Sequence, residues 1–255
     1  MKSFLGHSEQ RVAPILGSLR STAVPEVGRK AARAVLPFVT ISRQAGAGGR
    51  SLAQALCQKL NEVNPGERPW EIFDHEMLAQ LAADERISAE LIGSLEEASH
   101  SWLNDFLAGL SHRDNGPMDE WKVLHRLAAT VRALAQAGRV VMVGCGAGYM
   151  THDMPGGIHV RLVAELRHRI VTVSRLYNTN LDEAARKVQE LDRNRHNFYK
   201  RYWPDRPLSV EQFTLTLNSS ALSEAQMVAC LLPLIEEKRL IIEQPLPVAD
   251  VARPE

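Results

Sequence analysis

The fold of this chain is indicated most clearly by one stretch, Phe38-Val39-Thr40-Ile41-Ser42-Arg43-Gln44-Ala45-Gly46-Ala47-Gly48-Gly49-Arg50-Ser51-Leu52-Ala53. Its β-branched residues lead into a turn of small residues, and apolar residues then recur at helical spacing as far as Leu60. This order predicts a buried strand, a glycine-rich loop and the N-terminus of a helix. Such a loop binds phosphate because its backbone N–H groups converge on the phosphate oxygens and the helix end carries partial positive charge.

The loop departs from the full phosphate-loop pattern G-x-x-x-x-G-K-[ST], because it contains no lysine. Ser51 stands where a hydroxyl would bind Mg²⁺, and a serine at this point could equally cap the helix. The positive charge of the missing lysine has to come from other residues. Arg50 lies next to the gap and could supply this charge, or it could be a solvated surface arginine. Arg43 lies at the loop entrance and could also supply it, or it could form an ion pair at the end of the strand.

Composition restricts the classes of protein to consider. The chain has 255 residues, with 30 Lys and Arg against 30 Asp and Glu, which suits one large α/β domain or one domain with a mobile sub-domain. The balanced charge makes nucleic acid an unlikely main partner. The three cysteines are too far apart for a zinc site or a disulfide framework, so the cytoplasm is the expected location. No apolar run approaches the ~18–20 residues of a membrane span, so no membrane partner is expected.

Strand-like and helix-like segments alternate along the chain, which predicts βαβ units and an α/β fold with a parallel sheet. We expect strands at 38–42, 70–73, 139–143, 158–163 and 213–217. We expect helices at 51–63, 76–83, 119–137, 165–177, 181–198 and 223–237, one or two more within 88–112, and a loop at 113–117. Residues 1–34 are predicted to form a flexible N-terminal arm, and residues 241–255 a loose C-terminal tail. The sequence does not indicate the oligomeric state.

Several predicted strands end in residues that suit a ligand site. Asp74 follows the second strand, a second glycine-rich turn begins at Gly144, and Asn218 begins an Asn-Ser-Ser turn after the last strand. Ligands of parallel α/β sheets bind at the carboxyl ends of the strands. Together with the loop at 46–51, these turns predict a nucleotide site at one edge of the sheet.

The order and spacing of these motifs resemble the cytidylate kinase-like family, a branch of the P-loop nucleoside monophosphate kinases. The resemblance covers roughly 35–238 and leaves the N-terminal arm outside. The motifs that carry it are Ile41-Ser42-Arg43, Gly46-Ala47-Gly48-Gly49-Arg50, Phe73-Asp74, Asp192-Arg193-Asn194-Arg195, Phe198-Tyr199-Lys200 and Asn218-Ser219-Ser220. Authentic cytidylate kinases carry Gly-Lys-Gly-Thr in the loop, so their lysine aligns with Gly49. They also carry Asp-Gly-Arg-Asp in the second turn, so Cys145 stands in place of an arginine.

The resemblance implies a three-layer P-loop NTPase fold over 35–240, with a central parallel sheet, a helical lid at about 178–210 and a helical acceptor-binding region. It implies ATP and Mg²⁺ as cofactors and a nucleoside monophosphate, such as CMP, as acceptor. The residues expected to bind ATP are Gly46, Ala47, Gly48, Gly49, Arg50 and Ser51, with Ser51 as the metal ligand and Asn218, Ser219 and Ser220 at the adenine end. The acceptor-binding candidates are Asp74, Gly144 and Cys145. The residues expected to stabilise the charge of the transferring phosphoryl group are Arg43, Arg50, Arg193 and Arg195.

Three alternatives stay open at this point. Without the loop lysine and with Cys145 in the second turn, the chain could be a non-catalytic nucleotide-binding module. It could also be a kinase for a different small acceptor, since nothing in residues 88–115 specifies CMP. A weaker alternative is a nucleic-acid-associated protein that uses the basic residues of the N-terminal arm.

Overall fold

A computed structural model describes residues 12–17, 36–95, 97–111 and 118–243. Its centre is a five-stranded sheet in the order β2-β3-β1-β4-β5. The strands are β1 (Phe38–Arg43), β2 (Glu71–Asp74), β3 (Val140–Val143), β4 (Gly157–Val163) and β5 (Leu215–Asn218). Every neighbouring pair is parallel, which confirms the predicted α/β class. The glycine loop that follows β1 therefore leaves the middle of the sheet.

Helices connect the strands. They are α1 (12–17), α2 (Gly49–Val63), α3 (His75–Ala83), α4 (Glu85–Gly93), α5 (Glu97–Ser111), α6 (Met118–Ala137), α7 (Ala147–Met150), α8 (Leu166–Tyr177), α9 (Leu181–Tyr202) and α10 (Glu224–Glu243). A short 3₁₀ turn, Val210–Gln212, precedes β5. In the described part of the chain, no helix combines the length and the apolar character needed to cross a membrane.

Alternate side chains of the strands pack on opposite faces of the sheet, as the pleat requires. On one face Val39 and Ile41 of β1 join a buried cluster with residues of α2 and α10. On the other face Phe38 joins a larger cluster with residues of α3, α4 and α6. The sheet is therefore the middle of three layers, as predicted.

Helix α9 is longer than expected. The prediction ended it at Phe198 and treated the aromatic and basic residues beyond as a separate segment, but the helix continues to Tyr202. Its C-terminal aromatic side chains pack into the core: the ring of Trp203, which caps the helix, lies 5.0 Å from that of Tyr149 and 5.7 Å from that of Phe106. This end of the predicted lid is thus anchored to the body of the domain by burial of aromatic surface.

Within the predicted N-terminal arm, residues 12–17 form α1. Val12 and Ile15 are fully buried in the same cluster as Phe38, so hydrophobic contact holds this turn of helix on the domain. The rest of the arm lies outside the described residues, as do the loop at 113–117 and residues 244–255 of the tail. The proposed domain boundaries stay a prediction.

Arg132 of α6 was not anticipated as a structural residue. Its side chain is 2% exposed and donates to both carboxylate oxygens of Asp153, at 2.8 and 3.0 Å. It also donates to the carbonyl of Met150 and lies over the ring of Trp102. A buried guanidinium is tolerated because its donors are satisfied in this way, so Arg132 ties α6 to the segment after α7.

We expect His159 of β4 to make the fold sensitive to acid. Burial, with smaller contributions from His152 and Lys238, lowers the pKa of His159 from 6.5 to about 4, and its Nδ1 lies 2.8 Å from Thr40 Oγ1. Between these two pH values the unfolded chain binds a proton that the folded chain does not. The contribution of His159 to the free energy of unfolding is therefore fully present above about pH 6.5 and is lost as the pH falls toward 4.

Urea unfolding at pH 7 and pH 4.5 measures this effect. His159→Gln should remove about 2 kcal/mol of the loss of unfolding free energy between the two pH values. His168→Gln, at an exposed position of α8, is the matched control and should keep the loss. Full acid sensitivity in the His159→Gln protein would contradict the assignment.

Candidate active site

The glycine loop and the N-terminus of α2 form the predicted phosphate-binding element. Gly48 caps the helix with φ 80°, and Gly46 has φ 76°, so both need the left-handed conformation that glycine adopts without strain. A side chain at Gly46 would also meet the carbonyl oxygen of Arg169 at 2.4 Å. By contrast, a side chain at Gly48 would have no other heavy atom within 4 Å of its Cβ, so the loop leaves open space beside the helix end.

The structure contradicts one alternative for this loop, the capping role of Ser51, while the role of Ala47 in binding ATP stays a prediction. Ser51 is not the helix cap, because α2 begins two residues earlier at Gly49 and its cap is Gly48. Ser51 lies exposed in the first turn, where its hydroxyl is accessible to a ligand. The backbone N–H of Ala47 donates to the carbonyl of Gln44 at 3.2 Å, so in this conformation it is engaged in a turn and not directed at a phosphate. The first N–H groups of α2 have no acceptor within their own helix.

Arg43 lies against both glycine turns. A Cβ at Gly49 would be 3.1 Å from Arg43 Cγ, and a Cβ at Gly144 would be 2.0 Å from Arg43 Nη1. Within the described residues the guanidinium of Arg43 makes no ion pair, and burial lowers its pKa from 12.5. The ion pair at the strand end, the alternative considered for this residue, is therefore not formed.

A cavity of about 430 Å³ opens beside Arg43, under α9. Three of its lining residues are half-buried arginines, Arg43, Arg161 and Arg195. Burial is the main cause that lowers the pKa of Arg195 to about 10, and repulsion from Arg43 adds to it. Burial likewise lowers the pKa of Arg161. The lining residues also include Lys200, and a single carboxylate, Asp192, so the cavity attracts anions.

Sequence reasoning missed Arg161. It lies opposite Ser42 in the β1–β4 register, and its Nη1 donates to Ser42 Oγ at 2.7 Å. Arg195 was anticipated, and its Nη1 lies 3.4 Å from the carbonyl oxygen of Arg43. The alternation of apolar and polar residues in β4 was the available signal, because Arg161 stands between the apolar residues Val160 and Leu162.

Asp192 of α9 joins the loop to the helix that covers it. Its Oδ1 accepts the backbone N–H of Ala45 at 2.7 Å, and its Oδ2 forms an ion pair with Arg169 of α8. The same carboxylate lies 3.6 Å from Arg195. One side chain thus positions the glycine loop, α8 and a cavity arginine.

Arg50 and Asp74 are paired with each other. Arg50 Nη2 lies 2.6 Å from Asp74 Oδ2, while Asp74 Oδ1 caps α3 by accepting the N–H groups of Glu76 and Met77, both at 3.1 Å. The capping alternative for Asp74 is therefore observed. Arg50 is 64% exposed at its side chain and is not among the residues that line the cavity.

The second glycine turn brings Cys145 near Arg43 and Asp74. Cys145 has φ 54°, and burial raises its pKa to about 12, so the thiol stays protonated and is a poor nucleophile. Its Sγ lies 3.8 Å from the carbonyl oxygen of His75. Gly144 is buried under the guanidinium of Arg43. Their proposed contact with an acceptor stays a prediction.

The remaining candidates lie apart from the cavity. Arg193 is exposed on α9 and does not line the cavity. Asn218, Ser219 and Ser220 form a tight turn in which Asn218 Oδ1 accepts the N–H of Ser220 at 3.0 Å. Ser220 Oγ in turn accepts the N–H of Glu165 at 3.1 Å, which joins the turns after β4 and β5. Their role at the adenine end stays a prediction.

Among residues 12–17, 36–95, 97–111 and 118–243, no group of three or more His, Cys, Asp or Glu residues could hold a metal ion. A magnesium ion at this site would therefore be held mainly by nucleotide phosphates and water, as is usual for Mg²⁺. The exposed hydroxyl of Ser51 at the start of α2 fits such an ion as a protein ligand. The open space beside Gly48 and the excess of arginines fit the phosphates.

We predict that Asp192→Asn will lower the free energy of unfolding by about 2 kcal/mol, because the largely buried Arg169 loses its charged partner. Glu190→Gln is the matched control on the same helix, since Glu190 pairs with Lys187 in an exposed pair. It should cost under about 0.5 kcal/mol in urea unfolding. Equal losses in the two variants would show that Asp192 does not hold the loop.

Solved structures that resemble this chain were found. A solved structure, of an uncharacterized protein from Eubacterium ventriosum ATCC 27560, is 16% identical with a TM-score of 0.60, and the alignment covers 79% of this chain and 98% of that chain. This likeness shows a shared fold. Shikimate kinase from Bacteroides thetaiotaomicron is 19% identical, with a TM-score of 0.41 and coverage of 78% and 98%. Shikimate kinase from Acinetobacter baumannii in complex with shikimate is 15% identical, with a TM-score of 0.38 and coverage of 81% and 97%.

No match was found among curated proteins. The model of the cytidylate kinase-like family, however, matches residues 38–221, from the first residue of β1 to the turn after β5. The match includes the glycine loop, the second glycine turn and all of α9, and it covers well over half of the chain. The protein therefore belongs to the cytidylate kinase-like family.

Proposed function

We propose that the protein is an ATP-dependent phosphotransferase that moves the γ-phosphoryl group of ATP to a nucleoside monophosphate or another small acceptor. The observation that carries the proposal is the cavity beside the glycine loop, where Arg43, Arg161 and Arg195 face a single carboxylate. Phosphoryl transfer requires little covalent chemistry from a protein. It requires positioning and positive charge, and both are present here.

The loop and the start of α2 are the proposed site for the phosphates of the nucleotide. The N–H groups of Gly48, Gly49 and Arg50 lie at the helix N-terminus, where the aligned peptide dipoles favour an anion. Ser51 would hold Mg²⁺ through its hydroxyl. Bound ATP supplies the phosphoryl group, and Mg²⁺ neutralises charge on its phosphates.

The arginines are proposed to stabilise the negative charge of the transferring group. Because Arg43 and Arg195 are half-buried, their interaction with a phosphate is less screened than that of fully exposed arginines. Guanidinium groups stay protonated even when burial lowers their pKa to this extent. Arg161, held in place by Ser42, adds a third donor.

The acceptor is proposed to bind near Asp74, Gly144 and Cys145, none of which lines the cavity. The pairing of Asp74 with Arg50 presents an arginine at this edge even though Cys145 replaces the arginine of authentic cytidylate kinases. Arg50 would then contact the acceptor, a role that differs from the one expected from its place beside the loop gap.

A second candidate is a non-catalytic nucleotide-binding protein. It would account for the engagement of Arg50 with Asp74, which takes up the arginine next to Gly49, but the family match does not favour it. The two candidates differ in turnover, since both require the loop to bind ATP.

ATP consumption measured with CMP, dCMP, UMP, AMP or no acceptor separates the candidates. We expect one monophosphate to raise the rate well above the rate without acceptor. ATP binding with no turnover across the panel would favour the non-catalytic module or a different acceptor. No ATP binding at all would contradict the proposal.

Arg195→Ala should lower the rate of the catalytic step by about 100-fold or more, with a much smaller effect on ATP affinity. The reason is that it removes a positive charge that stabilises the transferring phosphoryl group. Single-turnover kinetics and equilibrium binding measure the two effects separately. Arg186→Ala, at an exposed position of the same helix, is the control and should change neither. Unchanged turnover in Arg195→Ala would remove this residue from the mechanism.

A further inference from the structure

Gly49 is a glycine for a reason other than its backbone conformation. It is the first residue of α2, and it is not among the glycines with positive φ, unlike Gly46 and Gly48. Residues of every type adopt helical backbone angles, and a glycine within a helix is unfavourable relative to alanine. Something outside the backbone must therefore account for the absence of a side chain at this position.

The side chain of Arg43 occupies the space that a side chain at position 49 would enter. The three heavy atoms nearest to a Cβ placed on Gly49 all belong to Arg43: Cγ at 3.1 Å, Cδ at 3.3 Å and Cβ at 3.5 Å. A contact of 3.1 Å is tighter than nearly all real contacts of a Cβ atom, so the side chain of Arg43 would have to shift by a few tenths of an ångström even for alanine, and further for a longer side chain.

The guanidinium of Arg43 continues from Gly49 to Gly144. A Cβ at Gly144 would lie 2.0 Å from Nη1 and 3.0 Å from Cζ of Arg43. Arg43 therefore reaches from the first turn of α2 to the turn after β3. It lies at the carboxyl ends of two adjacent strands, β1 and β3, where ligands of such sheets bind.

This charge is available to a ligand. Asp74 raises the pKa of Arg43 through space, against the larger effect of burial, but within the described residues no carboxylate forms an ion pair with it. The nearby Asp74 is engaged by Arg50 and by the N-terminus of α3, and Asp192 by Arg169, Arg195 and Ala45.

We propose that Arg43, from the end of β1, supplies the cation that a complete phosphate loop supplies from a lysine at position 49, and that the two positions exclude each other. Gly49 is then the compensating residue that makes room for Arg43. The proposal rests on the proposed function in one respect, since it takes the ligand of the loop to be a nucleotide phosphate.

Exchange of the cation between the two positions tests the proposal. Arg43→Ala should weaken binding of ATP·Mg²⁺ and lower turnover, together by about 100-fold. Gly49→Lys in the wild-type background should also lower both, because its side chain displaces Arg43. The double variant Arg43→Ala with Gly49→Lys should bind and turn over ATP at least about 10-fold better than the double variant Arg43→Ala with Gly49→Ala. The second double variant is the control, because it also places a side chain at position 49 but carries no charge. Calorimetric titration with ATP·Mg²⁺ and an ATP-consumption assay provide the two readouts.

Two results would overturn the proposal. One is a double variant with lysine that is no better than the double variant with alanine. The other is a Gly49→Lys protein that binds and turns over ATP as well as the wild type, since the two side chains would then coexist.

Thermal unfolding provides a readout that needs no nucleotide. Gly49→Ala should raise the Tm by about 2 °C or more in the Arg43→Ala background, where helix propensity alone acts. It should lower the Tm, or leave it unchanged, when Arg43 is present. If this coupling is found but ATP does not bind, the proposed function fails while the steric part of the inference stands. If ATP turns over but no coupling is found, the inference fails while the proposed function stands.

Discussion

The candidate site depends on one carboxylate, Asp192, that joins its own helix α9 to the glycine loop and to α8. It accepts the N–H of Ala45 at the start of the glycine loop, pairs with Arg169 of α8 and lies near Arg195 of α9. Arg169 and Arg195 also donate to the carbonyl oxygens of Ala45 and Arg43, and Asp192 is the acidic partner that these two arginines share. Its negative charge also offsets part of the repulsion among the arginines, so the same interaction serves both the fold and the electrostatics of the site.

The site nevertheless holds more positive than negative charge. Arg43, Arg161 and Arg195 converge on a cavity whose lining includes one carboxylate, and burial lowers the pKa of all three. Burial of positive charge without enough negative charge to balance it is unfavourable, so such a cluster is expected where an anionic ligand completes it. This imbalance, together with the open helix end at Gly48, is the physical argument for a phosphate-bearing ligand.

The fold was predictable from local patterns, since β-branched runs, helical spacing and glycine turns determine strands and helices over short distances. The features that could not be predicted depend on contacts between residues far apart in the sequence. The end of α9 could not be predicted because Trp203 is held by Tyr149 and Phe106. The burial of residues 12–17 depends on the same core. Arg161 was missed because its neighbour Ser42 is 119 residues away, and only the sheet register brings them together. The gap at Gly49 was visible in the sequence, but the contact with Arg43 that accounts for it was not.

The central claim is that the loop at 46–51 and Arg43 bind the phosphates of a nucleotide. Amide NMR shifts measured during titration with ATP·Mg²⁺ test it most directly. The account predicts that the largest shifts belong to the backbone N–H groups of Gly48, Gly49 and Arg50, and that the Nε–H signal of Arg43 shifts with the same dissociation constant. Shifts confined to other parts of the chain, or none at saturating ATP, would contradict it.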